Sequence, residues 1–343
     1  MSQSSLKERF EDLGVIVKRG VKVPNRGEGK QRDAREYGSD LWLLRWANNS
    51  YRNYELVTRA KLGVSQLVQS AVGVPSIVVG IGPSLDESIK YLSEASGKAL
   101  IIATDAAFRP LMAKGVRPDL VLSFDCKPEQ GLLWQSVPDH DVPILFDSCA
   151  HPDTIASWKG PVVFYNHYHQ TDELSQYILP HVFPHIGQLP SGGTVGNVAI
   201  LLSKVLGGDP SIVVGFDFCY GKSEKGWRYR AADYIRVPTG SWIQAELKDL
   251  YDNDERVVRS FERTYQGVTY RQDPELEYYY KTFLSFLPHF KIKAINTAME
   301  GALKDSVESL PLDLAIKRFC PKDADLSSFR SKFDGYEDPR RSK

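Results

Sequence analysis

The chain has 343 residues, a formal net charge of zero, 42% hydrophobic and 25% charged residues. That length accommodates one large α/β domain or two smaller ones, and the charge balance excludes a globally basic nucleic-acid binder. No run approaches the roughly 18 apolar residues of a membrane span, and the opening MSQSSLKERFEDLG carries charges where a secretory signal needs an apolar run. Cys126, Cys149, Cys219 and Cys320 are scattered with no metal or disulfide spacing, so free thiols and a cytoplasmic location are expected.

In chain order, residues 1 to about 40 are polar and lean basic, with no helical stripe, and residues 41–70 carry apolar residues at near-helical intervals. Together, residues 1–70 read as a polar segment and lead-in helices. Short β-rich runs follow: SIVVG (76–80), ALIIATD (99–105), DLVLSFD (119–125), VPILFD (142–147), PVVFYN (161–166), SIVVGFD (211–217) and, much later, KIKAIN (291–296). Helix-like pieces such as ESIKYLSEA, AAFRPLMAKG and TVGNVAILLSKVLGG lie between them. This alternation predicts an α/β, Rossmann-like fold: a mostly parallel sheet with helices on both faces. Residues 222–290 are aromatic, charged and irregular, and read as an insertion or lid before the last strand. Residues 321–343 have little to bury and are expected to form a frayed polar tail.

In such a sheet ligands bind beyond the carboxyl ends of the strands. After the first strand comes Gly80-Ile81-Gly82-Pro83-Ser84, with Asp86 just beyond; glycine permits a sharp turn, and N–H groups at the following helix start suit a phosphate. Such turns are also ordinary βα connections. The next strands end in Asp105, Asp125 and Asp147-Ser148, then Asn166-His167-Tyr168-His169, Asp217 and Asn296-Thr297. A single Asp in these places is an ordinary helix cap, but the set points to a site. A second glycine loop, Ser191-Gly192-Gly193-Thr194, stands directly before an apolar helical run; it suits a phosphate or carboxylate, or else caps a tightly packed helix. His167 and His169 form either a metal-binding pair or a polar loop. Trp227-Arg228-Tyr229-Arg230 suits stacking on a base or sugar, or forms an amphipathic loop edge. Tyr278-Tyr279-Tyr280 reads as helix packing, and Asp252-Asn253-Asp254 as a solvated loop.

Three separated phrases carry a resemblance: GIGPSLDESIKYL, ATDAAFRPLMAKGVRPDLVLSFDCKPE and LPSGGTVGNVAILLSKVLGGDPSIVVGFDFCY. In this order and spacing they resemble the MptE-like domain, shared by archaeal 6-hydroxymethylpterin diphosphokinases and by the Maf (motility-associated factor) flagellin glycosyltransferases. The likeness is strong over about residues 70–220. The later KIKAINTAMEGALKDSVESLPLDLAI resembles the end of the Maf central domain, and residues 71–320 are accordingly taken as the transferase domain.

The resemblance implies a nucleotide of an activated donor held by the two glycine loops, at Gly80, Gly82, Pro83, Ser84, Asp105, Ser191, Gly192, Gly193, Thr194 and Asp217. In the Maf branch the donor is a CMP-activated nonulosonic acid and the acceptor a protein Ser or Thr hydroxyl; for this chain a small-molecule or protein hydroxyl acceptor is expected. That chemistry needs a base, for which Asp125, His167 and His169 are candidates, and requires no metal. In the pterin branch the donor is ATP, and Mg²⁺ would need carboxylates such as Asp105, Asp125 and Asp217. The strand ends carry no Asp-x-Asp and no Walker loop, which favours sugar transfer. The chain departs from the Maf pattern at Glu224, where a His is expected, and this leaves the acceptor open. Two rivals remain: an NAD enzyme, opposed by Leu85 at the third glycine position and by Pro83, and a nucleotide-binding scaffold that kept the fold without the chemistry.

Overall fold

The computed structural model describes residues 34–169, 172–223, 226–228, 231, 260–265 and 268–341. Every strand expected from the sequence is present: β1 (Ser76–Val79), β2 (Leu100–Thr104), β3 (Leu120–Ser123), β4 (Ile144–Asp147), β5 (Val162–Tyr168), β7 (Ser211–Val214) and β12 (Ala294–Asn296). Two further strands complete the sheet, β6 (Gln188–Pro190) and β13 (Glu308–Ser309). Two antiparallel hairpins lie apart from it, β8 (Gly221–Ser223) with β9 (Gly226–Arg228), and β10 (Phe261–Tyr265) with β11 (Val268–Gln272).

The nine-stranded sheet has the order β13-β12-β7-β1-β2-β3-β4-β5-β6, and every pairing in it is parallel. Every residue of β1, β2, β3, β4 and β7 is buried, as expected for runs covered on both faces. Alternate side chains divide between two cores. Ile77, Val79, Ile101, Ala103, Ile144 and Phe146 pack with Leu92, Phe108 and Leu111 on one face. Val78, Leu100, Ile102, Leu122, Leu145 and Val213 pack on the other with the helix Val195–Leu206 and with Phe283 of the helix Pro274–His289.

The chain lays down β1 to β6 in one direction and then returns to place β7 on the opposite side of β1. The order therefore reverses between β1 and β7, and a crevice is expected outside their carboxyl ends. The returning connection is the helix Val195–Leu206, which packs against β1, β2, β3, β6 and β7 and stops at Gly207 in the left-handed conformation (φ 94°).

Two expectations need correction. A helix spans Ala34–Arg52, so it starts inside the segment read as lacking one. The C-terminal residues are not frayed: Leu326 and Phe329 are buried, the Tyr336 hydroxyl bonds both the N–H and the carbonyl of Val162, and Arg340 reaches the carbonyls of Trp158 and Gly160. Four well-placed side chains hold a segment whose average composition is polar.

Candidate functional site

At the β1–β7 reversal the first glycine loop lies directly on the end of β7. Gly80 N–H donates to Val214 O (2.8 Å) and Gly82 N–H to Gly215 O (2.9 Å). The approach is so close that a Cβ on Gly82 would lie 2.1 Å from Asp217 Oδ2 and one on Gly80 2.7 Å from Gly215 O. Asp217 fills the turn: its carboxylate accepts the Ser84 N–H (3.2 and 3.3 Å) and the Ser84 hydroxyl (3.0 Å). The donors expected to meet a phosphate here are engaged by a carboxylate of the protein itself. Pro83 lacks an N–H, and the α-helix that follows is a single turn, Leu85–Ser88, continued as a 3₁₀ helix over Ile89–Ala95.

The second loop is built differently. Ser191 N–H donates to Tyr168 O (2.7 Å), Gly193 turns with φ +76°, and Thr194 is the N-cap of a 12-residue helix with its hydroxyl uninvolved in capping. Asn197 fixes the loop from inside the helix, donating to Gly192 O (2.8 Å) and Tyr279 O (3.0 Å), while its buried Oδ1 has no hydrogen-bond partner among the described residues. The helix Pro274–His289 roofs the loop: a Cβ on Gly193 would lie 2.8 Å from the Tyr278 ring and 3.1 Å from that of Tyr279. The Tyr278–Tyr280 run is therefore helix packing, as expected, with Tyr279 seated on the glycine loop.

Phe216 joins the two loops. Its ring would lie 3.2 Å from a Cβ on Gly80 and 3.0 Å from one on Gly196 in the first turn after Thr194. Loops more than one hundred residues apart thus meet across one aromatic side chain at the reversal.

The ends of β2 to β5 hold the acidic and histidine candidates. Asp105 is buried and accepts from Ser123 Oγ (2.8 Å), Gln130 Nε2 (2.6 Å) and Ala106 N–H (2.7 Å); burial pushes its carboxyl up to about 6 against these bonds. Asp125 is half-buried, accepts the Lys127 N–H (3.0 Å), and is also raised by burial, opposed by the charges of Lys127 and Arg45. His167 is fully buried. Its Nδ1 is 2.9 Å from Asp147 Oδ2, its Nε2 3.4 Å from Asp172 Oδ2, and Trp46 (centroids 4.5 Å) and Phe124 (5.6 Å) enclose its ring. Burial alone would lower it, but the two carboxylates win and hold it up at about 9. His167 is thus protonated near neutrality and closed off from solvent, which corrects its candidacy as a base. It positions the β4 and β5 ends. His169 is half-buried and lowered by burial, hence neutral and able to accept a proton.

The Mg²⁺ set does not assemble. Among the described residues the group within reach of one ion is Asp147, Cys149 and His167, with ligand atoms within 4.8 Å of one another, and not Asp105, Asp125 and Asp217. Both oxygens of Asp147 are already engaged there, since Oδ1 accepts the Cys149 N–H (2.7 Å) and Oδ2 both the ring and the N–H of His167. A hydrogen-bonded cluster is the better description of it. All four cysteines are free and buried, and no helix among the described residues is long and apolar enough to cross a membrane.

Sequence reading missed the contribution of the helix Ala34–Arg52, which covers the β3–β5 ends. Asn49 of this helix donates to Cys126 O and Cys149 O, and Asn53, in the turn just beyond its end, to Ser148 O and Ala150 O. The signal in the sequence was two asparagines four positions apart. Asp172 and Gln130 were missed as well. Tyr229, Arg230 and Asp252-Asn253-Asp254 lie outside the described residues, as do the side chains of Trp227 and Arg228.

No curated protein matches the chain. Among solved structures, that of a MAf glycosyltransferase from Magnetospirillum magneticum AMB-1 is similar, with a TM-score of 0.52 at 15% identity, over 89% of this chain and 48% of that one. This chain thus spans about half of that structure's length, and at this identity the likeness is one of fold. The family model for 6-hydroxymethylpterin diphosphokinase MptE-like proteins matches residues 48–223, just over half of the chain and the stretch that holds both glycine loops. The chain belongs to the 6-hydroxymethylpterin diphosphokinase MptE-like family.

Proposed function

We propose that this protein is a transferase that binds a nucleotide-activated donor at the carboxyl edge of its sheet and moves a sugar, of the CMP-activated nonulosonic-acid kind, onto a hydroxyl acceptor. The observation that carries this reading is the meeting of the two glycine loops across Phe216 at the strand-order reversal. The second loop takes the donor phosphate. Its helix is three turns long and starts at the carboxyl end of β6, and Ser191 and Thr194 stand in the loop at that start. The first loop, closed by Asp217, is the wall that shapes the crevice. As the bond from the anomeric carbon to the donor phosphate breaks, charge grows on the leaving phosphate and is met by the N–H groups of that helix start. The acceptor hydroxyl gives its proton to His169, which burial keeps neutral, or to the Asp125 carboxylate, which burial makes a stronger base than an exposed one.

Diphosphoryl transfer from ATP is the less favoured reading, because Asp105, Asp125 and Asp217 do not gather round one ion. Calorimetric titration separates the two. CMP is expected to bind without metal, and the double variant Ser191→Ala, Thr194→Val to lose at least about tenfold in affinity, or 1.4 kcal/mol. Binding of ATP only with Mg²⁺, or full CMP affinity in the double variant, would overturn the reading. Turnover of a CMP-sugar with a hydroxyl acceptor excludes a scaffold role.

A further inference from the structure

Within the Tyr278–Tyr280 run the three rings are used differently. Tyr279 and Tyr280 pack against the core beneath the helix Pro274–His289, and their hydroxyls are engaged by Glu275 and Ser306. Tyr278 belongs to neither core, and 54% of it is exposed. Its ring tilts against that of Tyr279 (centroids 5.9 Å, 60°) and reaches the second glycine loop, where a Cβ on Gly193 would lie 2.8 Å from its Cε1. The carboxylates of the same turn are occupied beside it, Glu275 by the Tyr279 hydroxyl and Glu277 by Lys281 (2.7 Å).

A second exposed ring borders the same loop. Tyr168, 38% exposed at the end of β5, accepts the Ser191 N–H at its carbonyl (2.7 Å) and pairs with Pro190. The loop Ser191–Thr194 thus has an exposed tyrosine at each end, Tyr168 at Ser191 and Tyr278 at Gly193, and Gly193 between them is itself exposed. One exposed tyrosine is ordinary on a protein surface. Two at the ends of one four-residue loop, at the start of a three-turn helix, call for a ligand with flat parts. A ring seated against backbone has little freedom left to lose when a ligand stacks on it.

A nucleobase is joined to its phosphate through a single ribose. With the phosphate at the helix start, the base must come down beside the loop, within reach of one of the two rings. Tyr168 directly precedes His169, the neutral imidazole able to accept a proton, so the reacting end of the donor belongs on that side. The base is left to the other ring.

We propose that Tyr278 is the platform on which the nucleobase stacks, and that the donor lies along the loop with its base at Gly193 and its transferred sugar at Ser191, beside Tyr168 and His169. Placing a donor here rests on the transferase reading above; the choice of ring and the direction do not follow from it.

The test is calorimetric titration of the full chain with CMP, AMP, ribose 5-phosphate and CMP-N-acetylneuraminic acid. Tyr278→Leu keeps an apolar contact on Gly193 and removes the ring. It is expected to weaken CMP at least about fivefold and to leave ribose 5-phosphate within about twofold, with the thermal midpoint unchanged. Tyr278→Phe should keep CMP affinity, since the ring and not the hydroxyl stacks. Tyr168→Leu should weaken CMP-N-acetylneuraminic acid more than CMP. Full CMP affinity in Tyr278→Leu, or an equal loss of CMP and ribose 5-phosphate, overturns the platform. Equal effects of Tyr168→Leu on CMP and its sugar ester overturn the direction. If AMP binds with the same dependence on Tyr278 while CMP does not bind, the cytidine donor falls and the platform stands. If no nucleotide binds, both fall.

Discussion

His167 shows how the fold decides the use of a single side chain. Its imidazole sits between Asp147 and Asp172 beneath Trp46, and although burial opposes the charge, the carboxylates hold it up at about 9 from an ordinary 6.5. A folded-state value above the unfolded one stabilises the fold fully below about 6.5, and that stabilisation is lost as pH rises through about 9. The wild-type unfolding free energy, read by urea titration, is therefore expected to fall between pH 6.5 and 9, by an amount on the order of a few kcal/mol. His167→Gln should be less stable at pH 6.5 and show a much flatter profile across that window. An identical slope in the variant would mean that another group titrates. The histidine itself stood out in the sequence, in Asn166-His167-Tyr168-His169. Its role did not, because Asp147 lies 20 residues away, on the neighbouring strand.

The glycine loops are legible one element at a time and differ once assembled. Both read as a glycine turn at a helix start, the first of them after a strand, and both have that form. At Gly82 a methyl group would meet Asp217 Oδ2 at 2.1 Å and the fixed Gly215 carbonyl at 2.7 Å. At Gly193 it would meet tyrosine ring edges, with a strained φ of +76°. Gly82→Ala should therefore cost about 1–3 kcal/mol by overpacking. Gly193→Ala should cost about 1–2 kcal/mol through its left-handed backbone. Urea titration of the two variants checks this, and a Gly82→Ala protein as stable as wild type would show that the β1–β7 loops are not packed as described. It follows that a bulky residue at Gly82 tests stability before it tests binding, which is why Ser191 and Thr194 are the cleaner probes. The strands β6 and β13, three and two residues long, carry too few side chains for a periodic pattern and exist because a neighbouring strand edge accepts them.

Across the whole molecule, the last residues strap the amino end of β5. Tyr336 bonds both backbone groups of Val162, and Arg340 bonds the carbonyls of Ile155, Trp158 and Gly160, with Asp338 holding its guanidinium in place. Those carbonyls lie at the end of the helix Pro152–Ser157, where a cation is favoured. Arg340→Ala and Tyr336→Phe are each expected to cost about 1–3 kcal/mol, read as a lowered thermal midpoint in calorimetry. An unchanged midpoint in both would show that the strap contributes nothing.

What the sequence determined by itself is the layered α/β core and the places where the chain turns. A strand buried on both faces must be continuously apolar, and a helix start after a glycine turn is a local matter of backbone freedom and capping. What only the tertiary structure decided is which polar group at the sheet edge meets which. Asp217 closes the first loop through Ser84, 133 residues away, and Asn49 seals Cys126 and Cys149 from a helix that precedes the sheet. Hydrogen bonds act over about 3 Å of space regardless of distance along the chain, so no local pattern records them. They determine whether a loop is open to a ligand and whether a histidine accepts a proton.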